Sequence, residues 1–184
     1  HINNLKEFIM ANLTGTWNLD PTHTEIGFVA RHAMVTKVRG NFPEFTAQVT
    51  VDGENSKAAA TIKTASINTG NSDRDEHVRG EDFFDVEKHP EMTFESTAFN
   101  VDENGNGTVE GNLTIKSTTK PVTLAVETFG VETDPFGNER LGFEASTTID
   151  RTDFGVDFQA PLKSGGVLVS NKITIVIEGS GIKA

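Results

Sequence analysis

Cysteine and tyrosine are both missing from this chain, and it has one tryptophan. Without cysteine there is no disulfide framework, no thiolate nucleophile and no Cys-based metal site. Basic residues are scarce: 16 Lys and Arg stand against 27 Asp and Glu, a net charge of −11. That balance argues against nucleic acid as a partner, because phosphates need a basic stripe. It also argues against adsorption on an anionic membrane. No run approaches the roughly 20 apolar residues of a spanning helix, so stable membrane insertion is not expected. There is no P-loop, no dinucleotide fingerprint and no nucleophile elbow.

What is present is phenylalanine, 13 residues against the single Trp17. A large core would use them, and so would a deep apolar cavity, since phenyl lines a site without a polar handle. A chain of 184 residues can bury such a core in one domain. Residues 1–9, HINNLKEFI, read as a leader foreign to the domain, with Met10 as the natural start of a single domain over 10–184. The run lacks the basic and long apolar regions of a signal peptide, so the expected location is cytoplasmic.

From Gly15 the pattern has period two. Trp17 and Leu19 precede the turn Asp20-Pro21-Thr22-His23. Ile26, Phe28, Ala30 and His32 share one face of the next strand, and Phe45, Ala47, Val49 and Val51 one face of another. Ala58–Ile67 is a strand thin in side-chain volume, suited either to tight packing or to leaving room. Met92–Val101, Val109–Ile115, Val122–Val131, Arg140–Ile149 and Val167–Gly179 follow, the last with Ile173, Ile175 and Ile177 on one face. Phe154–Gly166 reads as an irregular loop. Eight to ten evenly spaced antiparallel strands predict an all-β sandwich or closed barrel, and a barrel of about eight strands can hold one small ligand.

The exception is Asn71–Ser96. Asn71, Ser72 or Asp73 can cap a helix, Asp73, Asp75 and Glu76 suit its positive end, and Gly80 closes it after about two turns. Phe83 and Phe84 follow, and Pro90 prevents further helix. The segment reads as a short helix, Ser72–Arg79, that lays a Phe-Phe anchor onto the barrel or gates it; a plain solvated surface helix is the alternative.

Candidate chemistry is thin. Asp102, Asn104, Asn106 and Gly107 match the first half of an EF-hand loop, but Leu113 stands where the bidentate Glu belongs, so a hairpin turn is expected and no metal. The histidines lack the i, i+4 spacing of a helical zinc pair. His23 sits in a turn, where a backbone contact is expected. His32 ends an apolar strand face, either as a satisfied buried histidine or as a hydrogen-bond donor to a ligand head group. Asp20 with His23, and Arg74 with Asp75, read as turn and cap pairs, and Arg151 with Asp153 as a local structural pair.

Four motifs in order make this chain resemble the YceI-like family of polyisoprenoid-binding, lipocalin-like barrels. They are Trp17-Asn18-Leu19-Asp20-Pro21-Thr22-His23-Thr24; Arg74-Asp75-Glu76-His77-Val78 with Asp82-Phe83-Phe84-Asp85-Val86 and Lys88-His89-Pro90; Gly111-Asn112-Leu113-Thr114-Ile115-Lys116 with Thr119-Lys120-Pro121-Val122; and Arg151-Thr152-Asp153-Phe154-Gly155. Lys116 and Ser117 depart from the His-Gly usual in that family after the third. The resemblance implies an elongated antiparallel lipocalin-like β-barrel of about eight strands with one short helix. It implies a long-chain lipid, an isoprenoid or similar amphiphile, as ligand, no cofactor, no catalytic residue and a homodimer. The expected lining is Ile26, Phe28, Ala30, His32, Phe42 and Phe45 from the first strands. Val49, Phe83, Phe84, Met92, Phe94, Phe143 and Phe154 complete it. An enzyme or stress factor acting on such a lipid, and an interaction protein with a packed barrel, are the rival readings.

Overall fold

The computed structural model describes residues 12–160, 162–163 and 168–184. The proposed leader therefore lies outside the described residues, as does part of the loop before the last strand. Among the described residues ten strands run in chain order: β1 (Gly15–Leu19), β2 (Glu25–His32), β3 (Thr36–Asn41), β4 (Phe45–Val51), β5 (Lys57–Lys63), β6 (Glu91–Val101), β7 (Gly107–Ile115), β8 (Thr118–Thr133), β9 (Glu139–Asp150) and β10 (Lys172–Lys183). The helix α1 (Ser72–Arg79) lies between β5 and β6.

All ten strands belong to one antiparallel sheet. Eight of them close a barrel, β1-β4-β5-β6-β7-β8-β9-β10, sealed by β1 against β10; β2 and β3 are extra strands. Closure depends on the length of β10. Thr174–Glu178 pair with β2, and Gly181–Lys183 pair with β1. The turn Asp20–Thr24 thus carries the chain along one edge of β10 from β1 to β2. Beyond β2 lies β3, whose far edge makes a single bridge, Asn41 to Asn68. At this end the barrel wall is completed by α1 and the turn after it.

Local chemistry explains the helix. Asn71 Oδ1 accepts from Arg74 N–H, satisfying one of the free donors of the first turn. Arg74 donates to the carbonyl and hydroxyl of Thr69, while Asp75 accepts from the Thr69 N–H and hydroxyl. Arg79 reaches the carbonyls of Ala65 and Ile67. The pair read as a cap therefore clamps the helix start onto the residues before it. Gly80 ends the helix in extended backbone (φ −80°); the left-handed residue is Asp85 (φ 48°).

Four strand assignments change. The strand expected over Val122–Val131 starts at Thr118, with Lys120 and Pro121 inside it and paired to β7. β3 was not expected: residues 36–41 alternate basic and small residues and show no apolar face of their own. The strand expected over Ala58–Ile67 stops at Lys63 and turns as a 3-10 helix, Thr64–Ser66, with Thr64 N–H bonded to Pro90 O. The closing strand starts later and runs on to Lys183, because its last residues must pair with β1. Asp102 behaves as a hairpin residue: its carboxylate accepts from the N–H groups of Asn104 and Asn106.

Candidate ligand cavity

Inward side chains from nearly every strand leave the barrel axis open. One cavity of about 430 Å³ lies at the Trp17 end and another of about 530 Å³ at the α1 end. Both touch Ile26, Ala60, Phe94, Leu124 and Ile177, one residue from each of β2, β5, β6, β8 and β10, so they meet end to end at a shared waist. Each lies within the size range of small-molecule sites. Polar residues gather at the two ends: His32, Thr69, Asp73, Arg74 and His77 at one, Gln48, Glu54, Ser56 and Asp102 at the other. The stretch between is aliphatic and phenyl. Ala58 and Ala60 face the void, so the thin strand leaves room.

Glycines keep the bore open. Phe28, Phe94 and Phe143 each lie over a glycine of the neighbouring strand, Gly40, Gly111 and Gly179 respectively, in space a Cβ would occupy. A phenyl ring resting in such a notch lies back against the wall. Without the notch the ring would have to turn toward the axis.

At the Trp17 end the floor is a small cluster of Leu13, Trp17 and Leu141. Trp17 is fully buried, and its indole N–H donates to Leu13 O at 2.8 Å. At the α1 end Phe83 is buried and packs with His77 and Phe158, at ring separations of 5.2–5.3 Å. Phe84 meets Phe42 edge-on at 5.8 Å, and Phe42 meets Phe28 at 5.7 Å. The Phe-Phe pair is thus an anchor that also forms cavity wall.

Nine of the expected lining residues border the α1-end cavity: Ile26, Phe28, Ala30, His32, Phe42 and Phe83, then Phe84, Met92 and Phe94. Val49 and Phe143 border the other cavity, where Ile26 and Phe94 recur. Phe45 and Phe154 are buried in the core but are not among the cavity walls. His32 is exposed at the mouth, which removes the buried-histidine reading. Val38 was missed with its strand, and Trp17, Leu124 and Val126 were not named although their period-two pattern was visible.

The charged candidates hold the frame. His23 contacts the Asp20 carboxylate at 2.9 Å through its ring, and not the backbone. Arg140 bridges Asp20 and Asp134. His23, Arg140 and Thr22 together hold the Asp20 carboxyl well below the ordinary range. Arg140 leads the contacts that lower Asp134 to about 2. Arg151 does not pair with Asp153. Its buried guanidinium donates to the carbonyls of Ser170, Val156 and Val169. Burial lowers the Arg151 pKa, with Asp150 and Asp157 opposing. Lys116, left-handed at φ 56°, ties the β7–β8 turn to Gly155 O. Among the described residues no three His, Asp or Glu side chains gather as a metal ion would require, and no helix is long and apolar enough to cross a membrane.

Comparison with known proteins agrees with this architecture. A UPF0312 protein of Staphylococcus epidermidis is 38% identical over 163 residues, covering 85% of this chain and 91% of that protein. The crystal structure of a Campylobacter jejuni YceI protein superposes with a TM-score of 0.71 at 32% identity, over 84% of this chain and 90% of that one. A polyisoprenoid-binding domain from Saccharophagus degradans, implicated in plant cell wall breakdown, shares the fold at TM-score 0.70 and 13% identity, over 91% of this chain and 98% of that one. The family model for the YceI-like domain matches residues 17–180, and the chain belongs to that family.

Proposed function

We propose that this chain binds one long, largely apolar lipid, an isoprenoid or similar amphiphile, along the axis of its barrel. The observation that carries the reading is the pair of cavities meeting end to end, apolar along their length and polar at both ends. A chain drawn from water into such a bore gains about 0.8 kcal/mol per CH₂. The ends offer hydrogen bonds to a head group, His32 at the α1 mouth among them. Ile26, Phe28, Ala30, Phe42, Val49 and Phe94 would contact the lipid. Phe83, Phe84, Met92 and Phe143 would complete the contact. Binding of this kind needs no cofactor and no catalytic group. The fold shared with the S. degradans domain supports the reading at the level of architecture.

Native mass spectrometry of the purified protein tests it. A bound species of lipid mass, released by organic extraction, is the expected result. A chain that stays empty when offered polyprenols would overturn the reading. Carriage, storage or sensing of the lipid, a cytoplasmic location and assembly as a homodimer complete the proposal. Cell fractionation tests the location. A sedimentation mass equal to one chain at micromolar concentration would remove the dimer.

A further inference from the structure

The charge of this acidic protein is unevenly placed. Residues 26–43, which make β2 beyond its first residue Glu25, the turn and β3, contain no Asp or Glu, although the chain carries 27. The same stretch holds Arg31, Lys37 and Arg39, all exposed. The β2–β3 register sets Arg31 directly opposite Lys37, with Arg39 two residues further along the same outer face. Like charges placed opposite one another across two strands are destabilising. Among the described residues none of the three forms an ion pair. The fold itself gives no reason for this ladder.

The hairpin tip is apolar. Met34 is 53% exposed and Val35 77%. Ala33 and Met34 both have left-handed φ, 50° and 63°, which makes a tight turn between β2 and β3. Ala33 N–H bonds to Leu168 O and Val35 N–H to His32 O, so the base of the turn is fixed while Met34 and Val35 stay exposed. The inner face of the same hairpin is cavity wall: Ala30, His32 and Val38 border the α1-end void.

We infer that the β2–β3 hairpin is a docking element for an anionic lipid bilayer. Met34 and Val35 enter the headgroup layer. Arg31, Lys37 and Arg39 lie against anionic headgroups. The α1-end mouth is thereby brought to the lipid surface. This rests on the lipid-binding reading above. The net negative charge does not decide the matter: at physiological salt each charge is felt over about 8 Å, so the residues near the contact count most, and there Arg31, Lys37 and Arg39 stand against Asp73 of the mouth.

The test is flotation of the full chain with vesicles of phosphatidylcholine, alone or mixed with phosphatidylglycerol. The wild type floats with the mixed vesicles, weakly with the neutral ones, and less as salt rises. Arg31→Gln/Lys37→Gln/Arg39→Gln lowers binding to mixed vesicles roughly a hundredfold with a thermal midpoint equal to or above that of the wild type, and Met34→Ser/Val35→Ser lowers binding roughly tenfold with no fall in the midpoint. The salt dependence of the wild type tests the charge contribution independently of any variant's folding. Lipid occupancy is read in parallel by native mass spectrometry. A wild type that carries lipid yet ignores the mixed vesicles at low salt overturns the docking inference and leaves the lipid reading intact; a hairpin built for an acidic protein would give that result. A wild type that floats but never takes up lipid overturns the lipid reading alone.

Discussion

The phenyl ring of Phe28 lies across Gly40 of the neighbouring strand, in the space a Cβ on Gly40 would need. The obstacle is the far end of a side chain, which can rotate, and the only roomy direction is the cavity. Gly40→Ala should therefore act mainly on binding. Overpacking costs about 1–3 kcal/mol of stability, but the larger effect should be on long lipids, because the displaced ring occupies the bore. Binding of polyprenols of increasing length measures it. A variant that binds every length as the wild type does would show that the notch does not set the bore.

Phe83 and Phe84 allow a separate test of gating. Phe83 is buried and Phe84 half-buried. Phe83→Ala should destabilise by about 3–5 kcal/mol, as for a core phenyl, and Phe84→Ala by less. Both line the cavity at the part of the wall that no strand completes, so release of a fluorescent isoprenoid should speed up in either variant. Loss of stability with unchanged release would leave the pair as a core anchor alone.

Trp17 supplies a built-in reporter. It is the single tryptophan of a chain without tyrosine, and it borders the cavity farthest from α1. A lipid brominated at its tail should quench this fluorescence if it enters by the α1 mouth and passes the waist. A tail that stops at Phe94 should leave Trp17 unquenched.

The bridge from Arg140 to Asp20 and Asp134 predicts acid sensitivity. Both carboxyls titrate below their unfolded value of 3.8, Asp134 at about 2. A depressed carboxyl stabilises the fold above its unfolded pKa and loses that contribution as pH falls through the folded one. The loss for Asp134 thus falls between 3.8 and about 2, and for Asp20 it extends lower. Arg140→Met should move acid unfolding, followed by far-UV circular dichroism, to higher pH. An unmoved midpoint would mean that the bridge adds nothing to folding.

Arg151 gathers three carbonyls from the segments flanking the last loop. Arg151→Ala should lower stability by about 3 kcal/mol, since hydrogen bonds to charged groups are among the strongest and the carbonyls are left without their donor. Amide exchange at residues 168–170 should rise more than exchange in β7. Uniform acceleration would point to global loss instead.

Much of this barrel could be read from residue order. Period-two alternation placed Ile26, Phe28, Ala30, Val49 and Phe94 inward, and the cap and stop signals around α1 gave its bounds. β3 was hidden because Thr36–Asn41 is an extra strand beside the barrel: its inner side needs only Val38, and its outer side is charged. Sequence gave no sign that Phe45 and Phe154 would be screened from the bore, since an inward phenyl reads alike whether it meets a void or another side chain. The partners of Arg151 were equally hidden. Backbone carbonyls carry no residue identity, so a guanidinium that seeks them leaves no pattern in the alphabet.

The change of partner along β10 divides the molecule mechanically. From Gly181 onward the sheet is a hoop: every strand is hydrogen-bonded on both sides. Widening a hoop breaks backbone bonds all around it. Toward Thr174 the sheet is instead an open cuff, its loose margin β3 fastened by one bridge from Asn41 to Asn68 among the described residues. A cuff changes girth by sliding side chains past one another, without breaking the ladder. One end of the same tube is therefore a fixed gauge and the other an adjustable one.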